Sequence, residues 1–385
     1  MPTLADVVRQ HGPSYVARFG ATALPSHLRA MRDIVSCRTA VLGGHLEHCH
    51  DCGRRHLVYH SCRNRACPRC GADRAMQWVE RQRDLLLPVP YFHIVFTLPA
   101  ALRRFVRAHQ EELSSVLFKA AFESLSALAR DPRHLGGDLG ALAVLHTWTR
   151  TLQWHPHVHL LVPGGALAFD GTWLPCRRRS DGTPYLLPVH ALSTKFWGVF
   201  MAHARRRLPG VVFPDLPRNK RWVVHIKPVL AGNRVLEYLG RYIHRTALSD
   251  RAVLACDEQR VIFRYRRSSD GRRRVMTLPG HEFLRRYLQH TLPRGLHRIR
   301  AFGLLHPSRR TTLRRLQLLL GSPKAFPSTP GLEETAGRKP RVCESCGCTT
   351  WHRGPRLNAI ECALAEAALR VAADRARGPP TGGVT

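Results

Sequence analysis

The chain has 385 residues, with 60 lysines and arginines against 27 acids, a formal net charge of +33. That length allows two or three domains, and a hydrophobic share of 44% excludes disorder throughout. The most apolar stretch, Leu85–Leu102, is broken by Pro88, Pro90, Pro99 and His93, which excludes a transmembrane helix there.

In chain order, the opening MPTLADVVRQHG carries an acid and lacks a long apolar core. It does not read as a secretory signal, and a cytoplasmic protein is expected. Residues 1–85 read as a helical lead-in plus a cysteine-rich module. Of twelve cysteines, six lie between Cys37 and Cys70 and three between Cys343 and Cys348. Such clustering without an export signal favours metal over disulfides. Cys49-His-Asp-Cys52 and Cys67-Pro-Arg-Cys70 are two CxxC pairs with fourteen residues between them. Each pair can form a tight turn that aims two thiolates at one point, and two turns complete a tetrahedral zinc shell. Gly53 and Gly71 follow directly, where a knuckle needs positive φ. Cys49, Cys52, Cys67 and Cys70 are thus the expected zinc ligands. Cys37, Cys62, His45, His48 and His60 are spare, either as ligands of a second site or as packed side chains.

Arg74–Leu87 reads as a helix ending at Pro88, and Tyr91–Leu98, β-branched and aromatic, as a strand. Leu102–Ala129 has helical periodicity up to Asp131-Pro132. Ala141–Thr151 and His157–Val162 read as paired strands, Val189–Leu208 as a basic helix, Arg221–Val229 as a strand and Val235–Thr246 as a helix. Val253–Arg267 and Arg272–Leu278 read as a hairpin around Ser268-Ser269-Asp270-Gly271. His281–Leu292 and Thr311–Leu320 are helical, and the Pro/Gly/Ser-rich residues 321–342 read as a linker. Residues 343–385 then hold Cys343-Glu-Ser-Cys346-Gly-Cys348, for which a small zinc knuckle and a metal-free tail both fit, and an Ala-rich helix over Leu357–Arg377. Cys176 and Cys256 stand alone and read as inert. Helices and strands mix without a βαβ beat, which gives an α+β class with a mainly antiparallel sheet.

Only six of the basic residues are lysines. A GC-rich coding bias explains arginine over lysine but not the scarcity of acids. Arginine offers phosphate a planar fork, so a nucleic acid is the expected partner.

Two constellations carry chemistry. The first is His155-Pro-His157-Val-His159. Residues two apart on a strand share a face, so His157 and His159 project together, with Val158, Leu160 and Val162 turned to the core. Such a pair can hold a divalent cation with one further ligand; Gln153, Glu237 and His93 are unranked candidates for it. Pro156 restricts His155 and makes it the weaker ligand. The second is Glu237-Tyr238-Leu-Gly-Arg241-Tyr242-Ile-His-Arg245. On a helix, Tyr238 and Tyr242 lie about 40° apart, away from Leu236, Leu239 and Ile243. Arg234, Arg241 and Arg245 flank the phenols, a setting that favours phenolate and holds phosphate. Joined, the two give a mechanism: a metal on His157 and His159 polarises a phosphodiester, and a tyrosine attacks and becomes linked to phosphate. Trp148, Trp154 and Phe96 read as core side chains before base-stacking ones.

At these residues the chain resembles the two-tyrosine endonucleases with a histidine–hydrophobe–histidine (HUH) motif, and more narrowly the insertion sequence 91 transposases. The match is carried by Cys49-x-x-Cys52-Gly53, Ser61-Cys62-Arg63-Asn64-Arg65 running into Cys67-Pro68-x-Cys70, Tyr91 through Pro99, HPHVH at 155–159, EYLGRYIHR at 237–245 and Leu292 through Leu305. The resemblance implies an HUH palm over about 88–320 with an antiparallel sheet flanked by helices, and a zinc-ribbon-like N-terminal module. It further implies single-stranded DNA at transposon ends and target as substrate, 5′-phosphotyrosine intermediates, rolling-circle transposition, structural zinc, and Mg²⁺ or Mn²⁺ at the catalytic site. Association with the bacterial nucleoid follows when DNA is bound. It makes His157 and His159 metal ligands and Tyr238 and Tyr242 nucleophiles. Ala66 stands where relatives often carry histidine. A zinc protein that binds nucleic acid without cutting it is the alternative; it leaves HPHVH and the paired tyrosines unused.

Overall fold

The structure, a computed structural model, describes residues 1–71, 78, 81–82, 84–216, 222–229, 235, 246–267, 270–321 and 341–376. Thr3 caps the first helix reciprocally with Asp6: its hydroxyl accepts from the Asp6 N–H, and the Asp6 carboxylate accepts from the Thr3 N–H. That helix, α1 (Leu4–Phe19), is followed by α2 (Pro25–Ser36), β1 (Gly44–Cys49), β2 (Arg55–Tyr59) and β3 (Tyr91–Thr97). Next come α3 (Arg103–Ala108), α4 (Gln110–Arg130), β4 (Gly140–Trp148) and β5 (Trp154–Pro163). Two small hairpins, β6–β7 (Gly165–Leu167, Trp173–Pro175) and β8–β9 (Arg177–Arg178, Pro184–Tyr185), lead to α5 (Val189–Arg207) and β10 (Val223–Val229). The rest is β11 (Val253–Cys256), β12 (Arg260–Arg266), β13 (Arg273–Pro279), α6 (Gly280–Leu288), β14 (Ile299–Gly303), α7 (Arg310–Leu319), β15 (Trp351–Leu357) and α8 (Ala359–Ala376).

The central sheet has the order β10-β3-β5-β4-β14, and every neighbouring pair is antiparallel. Period-two alternation sorts its side chains. Phe92, Ile94 and Phe96 of β3, Val158, Leu160 and Val162 of β5, and Ala141, Ala143 and Leu145 of β4 are buried with α4 and α5 in the largest core. The opposite face carries His93, His146, His157 and His159. Further along that face Tyr91, Leu142, Val144 and Leu161 pack with Val235 and with Leu313 and Leu316 of α7. The β5 alternation is the one expected from HPHVH.

Three expectations are corrected. The helix foreseen over Leu102–Ala129 is two, because His109 (φ −113°, ψ 49°) leaves the helical region between α3 and α4. The strand foreseen over Val253–Arg267 is also two: Asp257 Oδ1 accepts from the N–H groups of Gln259 and Arg260 and turns the chain. The domain plan changes as well. Helices α1 and α2 share one core with Cys37, Cys67 and Cys70 and, beyond residue 85, with β11–β13 and α6. The C-terminal region is not a separate knuckle and tail. β15 joins β1 in a sheet of order β15-β1-β2, and α8 packs on it. Ladder hydrogen bonds and apolar burial, both blind to sequence distance, draw these segments together. Of the helix foreseen over Arg74–Leu87, Trp78, Arg81 and Gln82 are helical and Asp84 and Leu85 form a turn; its other residues before Asp84, all of the helix foreseen over Val235–Thr246 except its two end residues, and most of the linker lie outside the described residues.

Candidate active site and metal centres

In the β4–β5 ladder His146 sits directly opposite His157. Ligand nitrogens of His146, His157 and His159 lie within 4.8 Å of one another. His157 Nδ1 is 2.7 Å from the His155 carbonyl oxygen, a contact that needs a proton on Nδ1 and leaves Nε2 as the ligand nitrogen. His159 Nδ1 is 2.7 Å from His93 Nε2, with the rings stacked 8° from parallel. Burial pushes His159 down to about 2 and His93 and His155 to about 4. The rings are thus neutral at physiological pH, the form that binds metal. His146 is the third member of a group that could hold a metal ion. Of the residues considered for that place, His93 instead hydrogen-bonds His159 from behind, Gln153 is exposed on the β4–β5 turn, and Glu237 is outside the described residues. Three imidazoles fit a divalent cation, with nitrogen donors suiting Mn²⁺ better than Mg²⁺.

A cleft of about 720 Å³ has Trp148 in its lining and reaches the three histidines through that ring, which stacks on His146. Arg63, Arg65, Arg107, Arg294 and Arg298 line it, with Trp148 in its wall. Arg65 donates to the carbonyls of Leu296 (2.6 Å) and Pro293 (3.2 Å), so the Cys62–Cys67 loop is tied to the 292–298 segment. The Arg298 guanidinium lies 4.6 Å over the Trp148 ring, and Trp148 stacks on His146 at 4.6 Å. Burial lowers Arg298 only to about 9, so it keeps its charge at neutral pH. Phe96 is fully buried and Trp154 nearly so, under Arg107, as expected of core aromatics; Trp148 lines the cleft.

Tyr238, Tyr242, Arg234, Arg241 and Arg245 lie outside the described residues. Their described flanks are informative. Val235 is buried on the histidine-bearing sheet face, and Thr246 and Ala247 line the cleft.

The cysteines do not form the expected single shell. Cys67 and Cys70 group with Cys37 and Cys62, and Cys49 and Cys52 with Cys343 and Cys346, each set within 4.8 Å. In the first set Cys70 Sγ is 3.6 Å from the sulfurs of both Cys37 and Cys62. Hydrogen bonding to Cys37 leads the other sulfurs in holding the Cys70 thiol far below, and the Cys67 thiol far above, its ordinary value. Four sulfurs competing in this way suit a cation. Ala66 is not needed, since the set is complete without it. The CxxC spacing revealed each half-site. Pairing of the halves depends on β1, β15 and α2, which the spacing does not encode. His146 was missed as a lone histidine in an apolar strand; aligning the foreseen strand pair in register would have placed it against His157.

Residues 140–312 match the family described as "Putative transposase", and residues 7–98 the family described as "Transposase zinc-binding domain". The "Putative transposase y4qJ" of Sinorhizobium fredii (strain NBRC 101917 / NGR234) is 39% identical over 375 residues, covering 90% of this chain and 93% of that protein. The "Transposase for insertion sequence element IS801" of Pseudomonas savastanoi pv. phaseolicola is 28% identical over 333 residues, covering 79% and 80%. No solved structure matches the chain. Among the described residues, no helix is long and apolar enough to cross a membrane.

Proposed function

Because the chain belongs to the insertion sequence 91 family of transposases, with that family's N-terminal zinc-binding domain, we propose that it nicks and rejoins single-stranded DNA through tyrosine-linked intermediates in rolling-circle transposition. The central sheet with its histidine-bearing strand β5 is then an HUH palm, held within residues 88–320. The zinc-binding module, with Cys37, Cys62, Cys67 and Cys70 as its first zinc ligands, frames the DNA cleft.

His146, His157 and His159 would hold Mg²⁺ or Mn²⁺, which when bound polarises the scissile phosphodiester and offsets the charge that builds in its transition state. Tyr238 or Tyr242 attacks phosphorus. The phenolic oxygen–phosphorus bond forms, the bond to the 3′ oxygen breaks, and that oxygen leaves as a hydroxyl with the phenolic proton. The 5′ phosphate stays on tyrosine, so the energy of the bond is kept and a later 3′ hydroxyl reverses the step on another strand. Arg234, Arg241 and Arg245 neutralise phosphates beside the phenols, and Arg298 does so at the cleft wall. The single strand runs through the arginine-lined cleft, past Trp148.

The observation that carries this reading is the convergence of three imidazoles on one face of β4 and β5, with Trp148 stacked on His146 and itself lining an arginine-rich cleft. The flanks of the tyrosine segment support it. Val235, three positions before Tyr238 in the sequence, is buried on the histidine-bearing face. The test is incubation with labelled single-stranded oligonucleotides and Mn²⁺, then mass mapping of tyrosine-linked nucleotide. Adducts should form on Tyr238 or Tyr242 and vanish in the Tyr238→Phe/Tyr242→Phe double variant; normal adduct yield in that variant refutes the proposal. Binding without any cutting would leave a non-catalytic zinc-dependent DNA binder.

A further inference from the structure

Cys49-His50-Asp51-Cys52-Gly53 and Cys343-Glu344-Ser345-Cys346-Gly347 fold alike, although some 290 residues separate them. In the first, the Gly53 N–H donates to the Cys49 carbonyl (3.1 Å) and the Cys49 N–H to the Arg54 carbonyl (2.9 Å). In the second, the Gly347 N–H donates to the Cys343 carbonyl (2.9 Å) and the Cys343 N–H to the Cys348 carbonyl (2.8 Å). Gly53 and Gly347 both take positive φ, 67° and 75°, and a Cβ on either would touch nothing within 4 Å. Conformation alone therefore calls for glycine there. Each loop is a knuckle with two sulfurs on one side.

The knuckles face each other. Cys49 Sγ is 3.5 Å from Cys346 Sγ, and Cys52 Sγ is 3.6 Å from Cys343 Sγ. A tetrahedral zinc with Zn–S about 2.3 Å spaces its sulfurs about 3.8 Å apart, whereas a disulfide needs about 2.05 Å. The antiparallel β1–β15 ladder, which pairs Cys49 with Trp351, fixes the approach. Arg54 clamps the loops further by donating to Ser345 Oγ (2.6 Å) and Glu344 Oε2 (3.0 Å). Neither knuckle alone supplies more than half a shell.

We propose that Cys49, Cys52, Cys343 and Cys346 hold a second structural zinc that joins the two ends of the chain. Residues 341–376 then belong to the zinc-binding module, although the family match for that module stops at residue 98. The metal fixes β15 on the edge of β1, and α8 follows, with the Tyr59 hydroxyl donating to Glu366 Oε2 at 2.6 Å. This site does not depend on the strand-transfer reading, since its ligands and its test do not involve the histidines or tyrosines.

The test is metal analysis of the full-length protein purified under reducing conditions, together with Co²⁺ exchange. Two zinc ions per chain are expected, falling to one in Cys343→Ser/Cys346→Ser. Cobalt loaded into the wild type should show tetrahedral thiolate spectra for two sites, and the double variant should lose about half of that intensity. Cys346→His, which keeps four donors, should restore the second ion and so separates ligand loss from misfolding. Two ions retained in the Cys343→Ser/Cys346→Ser variant would overturn the proposal. So would a Cys49–Cys346 or Cys52–Cys343 disulfide found by mass mapping of the reduced preparation.

Discussion

His93 offers a sharp test of how the histidine site is built, because it touches His159 and lies outside the group of three. It lies on β3, diagonal to His159 across the β3–β5 ladder, and is buried to 8% exposure. If His159 binds metal through Nε2, its Nδ1 carries the proton and donates to His93 Nε2 at 2.7 Å. That bond fixes the tautomer and the ring orientation. Replacing His93 by leucine removes the acceptor, leaves the Nδ1–H facing apolar atoms and lets the ring turn. Losing such a partner lowers metal affinity about 10–100-fold, or about 1.4–2.7 kcal/mol. Mn²⁺ binding followed by electron paramagnetic resonance, and the Mn²⁺ dependence of oligonucleotide cleavage, should both move by that factor. The rate at saturating Mn²⁺ should change little. His93→Gln, whose side-chain oxygen can accept the same bond, should recover most of the affinity. His146→Ala, which removes a ligand outright, should not be rescued by excess Mn²⁺. If folded His93→Leu protein binds Mn²⁺ as tightly as the wild type, the tautomer argument fails.

Other perturbations test the frame around the site. Gly303 has φ 56°, and a Cβ there would meet the Leu139 carbonyl oxygen at 2.1 Å; Gly303→Ala should lower unfolding free energy by more than about 2 kcal/mol, and an unchanged denaturant midpoint would contradict this. Tyr287, fully buried on α6, donates to the Ala66 carbonyl beside Cys67. Tyr287→Phe orphans that carbonyl and should cost about 1–3 kcal/mol, read from urea unfolding at constant zinc. His27 is buried beside Tyr15, and burial lowers its pKa to about 4. The unfolded chain protonates first, so stability should fall as pH drops from 6.5 towards 4, by up to about 1.4 kcal/mol per pH unit from this ring. Above pH 6.5 the ring contributes no slope. Urea midpoints of His27→Gln should show a shallower decline over that window than the wild type; parallel curves would count against the assignment.

Much of the site was legible in the residues. The alternation of HPHVH put His157 and His159 on one face and Val158 and Leu160 in the core, because period two is a property of any strand. The Cys49–Cys52 pair with Gly53 announced a knuckle, because that turn is closed by its own backbone; Cys67–Cys70 with Gly71 instead opens a helix, without the positive φ expected at Gly71. The α+β class and the antiparallel sheet followed from short-range patterns of the same kind. What those patterns lack is a partner. His146 joins the histidine group only because the β4–β5 register sets it against His157. Cys49 and Cys52 left Cys67 and Cys70 because β15 returned to pair with β1, while Cys37 came from the end of α2. The resemblance to the insertion sequence 91 transposases, carried by motifs spread over the chain, was likewise visible in the residues. The contact that brings two of those motifs together, Arg65 on the Leu296 carbonyl, was not. Local dihedral preferences and alternation act within a few residues and are written into the sequence. Which half-sites meet is set by long-range pairing and burial, and these exist only once the chain has closed on itself.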